Sequence, residues 1–164
     1  MKNPFVVRRF ERRDLVSVLR IEKASFSHDA WSREEYQKYF AKSPNLFLVA
    51  EVGGRVAGYI IGAMTRHGGE IDSLAVLPRY RGQHIATQLL RIMMRRLWQR
   101  GARATRLTVR KDNKDAIDFY KKLEFMLAGI VPHYYDDGAA GVRMKVTLEG
   151  VVPATGGRIR QASK

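Results

Sequence analysis

The stretch Glu70-Ile71-Asp72-Ser73-Leu74-Ala75-Val76-Leu77-Pro78-Arg79-Tyr80-Arg81-Gly82-Gln83-His84-Ile85-Ala86 reads as a strand, a tight turn and the first residues of a helix. Ile71 and Leu74 to Leu77 form a mostly apolar run of strand length, closed by Pro78, which has no N–H to extend a ladder. Arg81-Gly82-Gln83 supplies the turn. From Ile85 to Arg100, Ala86, Leu89, Leu90, Met93, Met94 and Leu97 recur at helical spacing, and Gly101 stands where a C-terminal cap belongs. A helix that starts this way leaves several backbone N–H groups unpaired at one spot, with the positive end of the helix dipole behind them. Phosphate or diphosphate suits such a spot, although the same stretch also works as a plain strand-to-helix connection.

Upstream, Phe5 to Arg8 reads as a first strand and Arg12 to Phe26 as an amphipathic helix through Leu15, Val18, Leu19 and Ile21. Ser32 with Glu35 makes a capping box for a second helix running to about Lys42. Asn45 to Val52 and Val56 to Met64 are strands joined by the two-residue turn Gly53-Gly54, and His67-Gly68-Gly69 turns into the opening strand. Three consecutive antiparallel strands follow from those turns. Ala104 to Val109 is reached through a helical crossover, so it runs parallel to the opening strand. Asp112-Asn113 caps a helix from Lys114 to Leu123, and Phe125–Val131 with Gly141–Leu148 form a last hairpin around Tyr134-Tyr135-Asp136-Asp137-Gly138. Beyond Gly150, Pro, Gly and Arg dominate and apolar periodicity ends. One domain over residues 1–149 and a disordered basic tail over 150–164 are expected.

At 164 residues, 45% of them hydrophobic, the chain has the size and composition of one folded domain. No apolar run approaches the ~20 residues that cross a bilayer. The start, Met1-Lys2-Asn3-Pro4, has no signal-peptide character, so a cytoplasmic location without membrane attachment is expected. Absence of cysteine excludes disulfides, thiolate metal sites and a cysteine nucleophile. His67 and His133 fit no metal-ligand pattern, so no metal is expected. The net charge of +14 implies attraction to polyanions: nucleic acid, the ribosome surface or an anionic cofactor. Ten of the Lys and Arg residues, and no Asp or Glu, lie between Ser73 and Lys111, around the candidate anion turn.

This order of elements, with an anion turn after the fourth strand, resembles the GNAT acetyltransferase superfamily over roughly Phe5 to Leu148. Arg81-Gly82-Gln83-His84-Ile85-Ala86 is similar to the family's Gln/Arg-x-x-Gly-x-Gly/Ala signature, with His84 in place of its first glycine. Asn113 to Phe125 resembles the segment Asn-x-x-Ala-x-x-Phe-Tyr-x-x-x-Gly-Phe, with Glu124 in place of glycine. Within the superfamily, Tyr134-Tyr135-Asp136-Asp137-Gly138, Phe26, Trp31-Ser32 and Ile71 to Pro78 are similar to RimI-type and archaeal protein N-terminal acetyltransferases. Ala139-Ala140 departs from that group, which has an acidic residue after the glycine.

The resemblance implies an α/β (α+β) fold. Its mixed, mostly antiparallel sheet would have about seven strands and about four flanking helices, with a V-shaped splay between strands 4 and 5. Acetyl-CoA would sit in the V, its pantetheine along Leu74, Ala75 and Val76, its diphosphate on Arg81, Gly82, Gln83, His84, Ile85 and Ala86, with Asn113 and Tyr120 nearby. Glu70 stands where several members hold a glutamate base, and Asp72 alternates with it along the strand. RimI-type enzymes place a glutamate in the fifth strand, where this chain has Thr108. Tyr120 is the expected acid, because a phenol with an ordinary pKa near ~10 suits a thiolate leaving group. Phe26, Trp31, Tyr134 and Tyr135 would line the acceptor entrance, or pack as core aromatics. The expected acceptor is a protein N-terminus, with ribosome association through the basic surface, in a monomer or homodimer. A small amine as acceptor, or a nucleic-acid-binding module with decayed catalysis, are the competing readings, and the basic surface argues against a polyamine.

Overall fold

Which strands pair, and where pairing stops, follows from a few local features of the chain. The computed structural model describes residues 4–26 and 29–150; the basic tail beyond 150 lies outside them. In chain order the elements are β1 (Phe5–Arg9), α1 (Leu15–Phe26), α2 (Arg33–Lys42), β2 (Phe47–Val52), β3 (Arg55–Thr65), β4 (Gly68–Val76), α3 (Ile85–Gln99), β5 (Ala104–Arg110), α4 (Lys114–Lys122), β6 (Met126–Val131) and β7 (Gly141–Thr147). The strands form one seven-stranded sheet ordered β1-β2-β3-β4-β5-β7-β6. Gly53 and Gly54 both take positive φ, 54° and 78°, which a two-residue hairpin between β2 and β3 requires. Among the described residues only the β4–β5 pair is parallel, as the α3 crossover demands.

Both faces of β2 and β3 are covered, so their sequences run mostly apolar rather than alternating. Leu48 and Ala50 point to the α3 side with Ile60, Leu89, Met93 and Leu97. Phe47 and Val49 point to the α1–α2 side with Val18, Ile21, Tyr36 and Tyr59. Each such Leu, Ile or Phe contributes about 1.5–3 kcal/mol by leaving water. The methionines of α3 are core, as their spacing indicates.

Element ends moved where side chains compete with the backbone. Residues Arg12–Asp14 form a separate 3-10 turn before α1, because the buried Asp14 carboxylate accepts from Glu11 N–H at 2.8 Å and from the Arg8 guanidinium at 2.7 and 2.9 Å. Pro44–Leu46 is a second such turn and delays β2 to Phe47. Gly68 and Gly69 join the ladder opposite Thr65 and Met64, so Glu70 is the third residue of β4 rather than its first. Ser32 and Glu35 cap α2 reciprocally, at 2.6 and 3.3 Å.

Candidate active site

Strands β4 and β5 pair only at Gly69–Thr105 and Glu70–Arg106, and then part. A bulge coincides with the parting. Ile61 faces Ser73 and Gly62 faces Ile71, so Asp72 is the extra residue on β4. The gap continues into a cavity of about 930 Å³, at the upper end of the range for small-molecule sites. Its walls include Leu74, Ala75 and Val76 of β4, Leu107, Thr108 and Val109 of β5, and Asn113, Ala116, Phe119 and Tyr120 around α4.

One end of the cavity is the turn into α3, which contributes Arg81, Gly82, His84, Ile85 and Ala86 to the lining. The first hydrogen bond of α3 runs from Gln88 N–H to His84 C=O at 3.0 Å, so the preceding N–H groups have no partner within the helix. No acidic residue stands in its first turn. Arg81 Nε donates to the Val76 carbonyl at 3.1 Å and ties the turn to the end of β4. Gly82 has φ 74° and open space where a Cβ would stand. His84 has φ 65° and is exposed, so the position departing from the family's glycine keeps a glycine-like backbone with an L residue in it. Gln83 does not line the cavity, and its buried Oε1 has no hydrogen-bond partner. Open donors, an arginine and a cleft of sufficient volume fit a diphosphate carrying a long arm.

The other end is walled by aromatics from three segments. Phe26 is the last residue of α1, Trp31 lies in the α1–α2 connection, and Tyr134 and Tyr135 come from the β6–β7 loop. Trp31 stacks on Tyr39 of α2, with ring centroids 4.5 Å apart and 8° between planes, so this ring both packs and lines the mouth. Arg110, at the end of β5, bonds Asp29 at 2.6 Å on one side of the mouth and Asp137 on the other, and its guanidinium lies over Tyr135. Below them Glu22, 2% exposed, accepts from Trp31 N–H at 3.0 Å and from Tyr36 and Tyr59. Neither Glu22 nor Arg110 is distinguishable in the sequence from an amphipathic-helix carboxylate and a solvated strand end.

Between the two ends lie the titratable groups. Asp72 lines the cavity and its Oδ2 is buried without a partner. Burial pushes its carboxyl up to about 7, the neighbouring Glu70 adds to the rise, and Lys42 opposes it. Glu70 itself does not line the cavity. Tyr120 is 7% exposed and lines it, with Phe119 and Phe125 edge-on at 5.1 and 5.5 Å; burial raises its phenol above the ordinary value. Thr108 lines the cavity and lies close against Gly141 of β7. Among the described residues no cluster of three or more His, Cys, Asp or Glu could hold a metal ion, and no helix is long and apolar enough to cross a membrane.

Comparison with known proteins meets this geometry. Residues 15–125 match the acetyltransferase (GNAT) family. An uncharacterised N-acetyltransferase of Methanocaldococcus jannaschii is 34% identical over 85% of this chain and 89% of its own length. A Bacillus subtilis protein whose name proposes it as a ribosomal protein bS18-alanine N-acetyltransferase is 31% identical over 90% of this chain and 99% of its own. The crystal structure of Ard1 from Thermoplasma volcanium superposes with a TM-score of 0.83 and 29% identity, covering 87% of this chain and 97% of that one. The splayed strands, the turn into α3 and these relatives agree: the chain belongs to the GNAT family and is an acetyl-CoA-dependent N-acetyltransferase.

Proposed function

We propose that this enzyme acetylates the α-amino group of a protein N-terminus. The observation that carries the reading is the two-ended cleft, with open helix-start donors at one end and an aromatic mouth at the other. Its similarity to the Bacillus subtilis protein whose name proposes a bS18-alanine N-acetyltransferase supports the same acceptor class. Arg81, Gly82, His84, Ile85 and Ala86 would hold the diphosphate, and Leu74 to Val76 the pantetheine, while Asn113, which accepts from Ala116 N–H, sets the start of α4 beside them. Acetyl-CoA supplies an acyl group already activated as a thioester.

An acceptor amine is mostly protonated at neutral pH and must lose that proton before it attacks. The carboxylates Glu70 and Asp72 supply the base. Asp72 faces the cleft, and Glu70 raises its affinity for a proton. A backbone N–H near Val76 would polarise the thioester carbonyl, an arrangement worth several kcal/mol where oxyanion geometry holds. Tyr120, kept protonated by burial, returns a proton to the departing thiolate. Phe26, Trp31, Tyr134 and Tyr135 would flank the first residues of the acceptor peptide.

A small amine as acceptor keeps one argument it lacked. The chain is strongly basic, but Glu22, Asp29 and Asp72 line the cavity itself, so the overall charge does not exclude a cationic amine. Ribosome association would use a second surface depression. Arg13, Arg20, Arg55 and Arg79 surround a second cavity of about 950 Å³ and offer cations to RNA phosphates. The deciding experiment is acetyl transfer to a panel of N-terminal peptides and small amines, with thiol release as readout and mass spectrometry to locate the acetyl group. Acetylation of α-amines is expected, and Tyr120→Phe should lower kcat at least about tenfold. Transfer confined to small amines would overturn the acceptor class.

A further inference from the structure

Glu22 is more deeply buried than any other described carboxylate, and among the described residues no cation pairs with it. Burying a charge in this way is costly unless hydrogen bonds replace its water. Here they come from four other places in the chain. Trp31 N–H donates to Oε1 at 3.0 Å; Tyr36 donates to Oε2 at 2.6 Å, Tyr59 donates to the same oxygen, and the Ser73 hydroxyl lies 3.4 Å from it. The Tyr59 and Ser73 hydroxyls are 2.9 Å apart, which closes the network. An apolar side chain of similar volume would fill the same space without desolvating a charge. What the carboxylate adds is geometry, since it ties α1 to the first residues of α2, to β3, and to β4 beside the bulge at Asp72.

We infer that Glu22 is a positioning residue for the acceptor, holding Trp31 at the mouth of the cleft and Ser73 next to Asp72. The inference rests on the reading that the acceptor enters past Trp31. Glutamine cannot substitute for Glu22. Its NH₂ group would face donors at one of the two oxygen positions, so either Trp31 N–H or the tyrosine pair loses its acceptor.

The test is Glu22→Gln in a Trp98→Phe background, where Trp31 is the sole remaining tryptophan of the two. The KM for an N-terminal peptide should rise at least tenfold, with kcat within threefold and the KM for acetyl-CoA within twofold. Trp31 emission should shift to the red as the ring leaves its packed position. A folded variant with peptide KM and Trp31 emission both unchanged would overturn the inference, as would equal rises in both KM values, which signal general loosening. If Glu22→Gln fails to fold, Tyr36→Phe removes one donor and should raise peptide KM about threefold; an unchanged KM overturns it. If the parent enzyme acetylates no peptide, the acceptor reading fails on its own, and Trp31 emission in the variant still decides whether Glu22 holds that wall.

Discussion

The two ends of the cleft are built by different means. At the α3 end the groups proposed to bind are backbone donors of Gly82 and His84 to Ala86, arranged by one turn and one helix start. At the proposed acceptor end the walls come from the end of α1, the α1–α2 connection and the β6–β7 loop, and Glu22 and Arg110 hold them through side-chain bonds spanning 9 to 81 residues of sequence. The first end is one any chain with this turn can form. The second depends on particular residues, so acceptor choice can change there while cofactor binding stays put.

The comparison is sharpest where the ends meet. Asp72→Asn should slow turnover about tenfold or more while leaving acetyl-CoA affinity within twofold. With its carboxyl pushed up to about 7, Asp72 is a base only above that pH, so kcat/KM should rise through pH 7 and this limb should vanish in the variant. Stability should move the opposite way. Folded Asp72 keeps a proton that the unfolded chain releases near its ordinary value of 3.8, so stability is lost as pH rises from about 4 through about 7. Thermal melts across that window should show the fall in the parent enzyme and a smaller one in Asp72→Asn.

Arg81→Ala should weaken acetyl-CoA binding about five- to tenfold by calorimetry, without changing peptide KM, because it removes a charge and unties the turn from Val76. Arg110→Met should do the reverse. Its pairs with Asp29 and Asp137 are partly exposed, so peptide KM should rise about two- to fivefold while acetyl-CoA KM stays unchanged. Both variants affecting both substrates alike would erase the distinction between the ends. The smallest effect is expected from His84→Gly. Left-handed backbone costs an L residue about 1–2 kcal/mol and glycine loses about 0.5–1 kcal/mol of that to chain entropy. The net gain of roughly 0.5–1 kcal/mol should raise Tm by about 1–4 °C.

The same contrast explains what was legible in the sequence. Hairpins at Gly53-Gly54, the Ser32–Glu35 cap, the α3 stripe and the parallel crossover are local patterns, and the structure reproduces them. The element ends at Asp14 and Leu46 shifted because a buried ion pair and a proline turn overrode periodicity. Glu70 drew notice by its place in the strand, yet the bulge turns Asp72 into the cavity, and a bulge leaves no mark in a single sequence. Glu22 looks like an ordinary helix carboxylate until Tyr36, Tyr59 and Ser73 converge on it.

One structure would test the whole arrangement: the enzyme crystallised with coenzyme A joined covalently to the N-terminal amine of a short peptide. The expected result has the diphosphate on the amides of Gly82 to Ala86, the sulfur beside Tyr120, and the peptide leaving between Trp31 and Tyr135. A diphosphate bound elsewhere, or a peptide that leaves by another face with the space below Trp31 still filled by side chains, would contradict it.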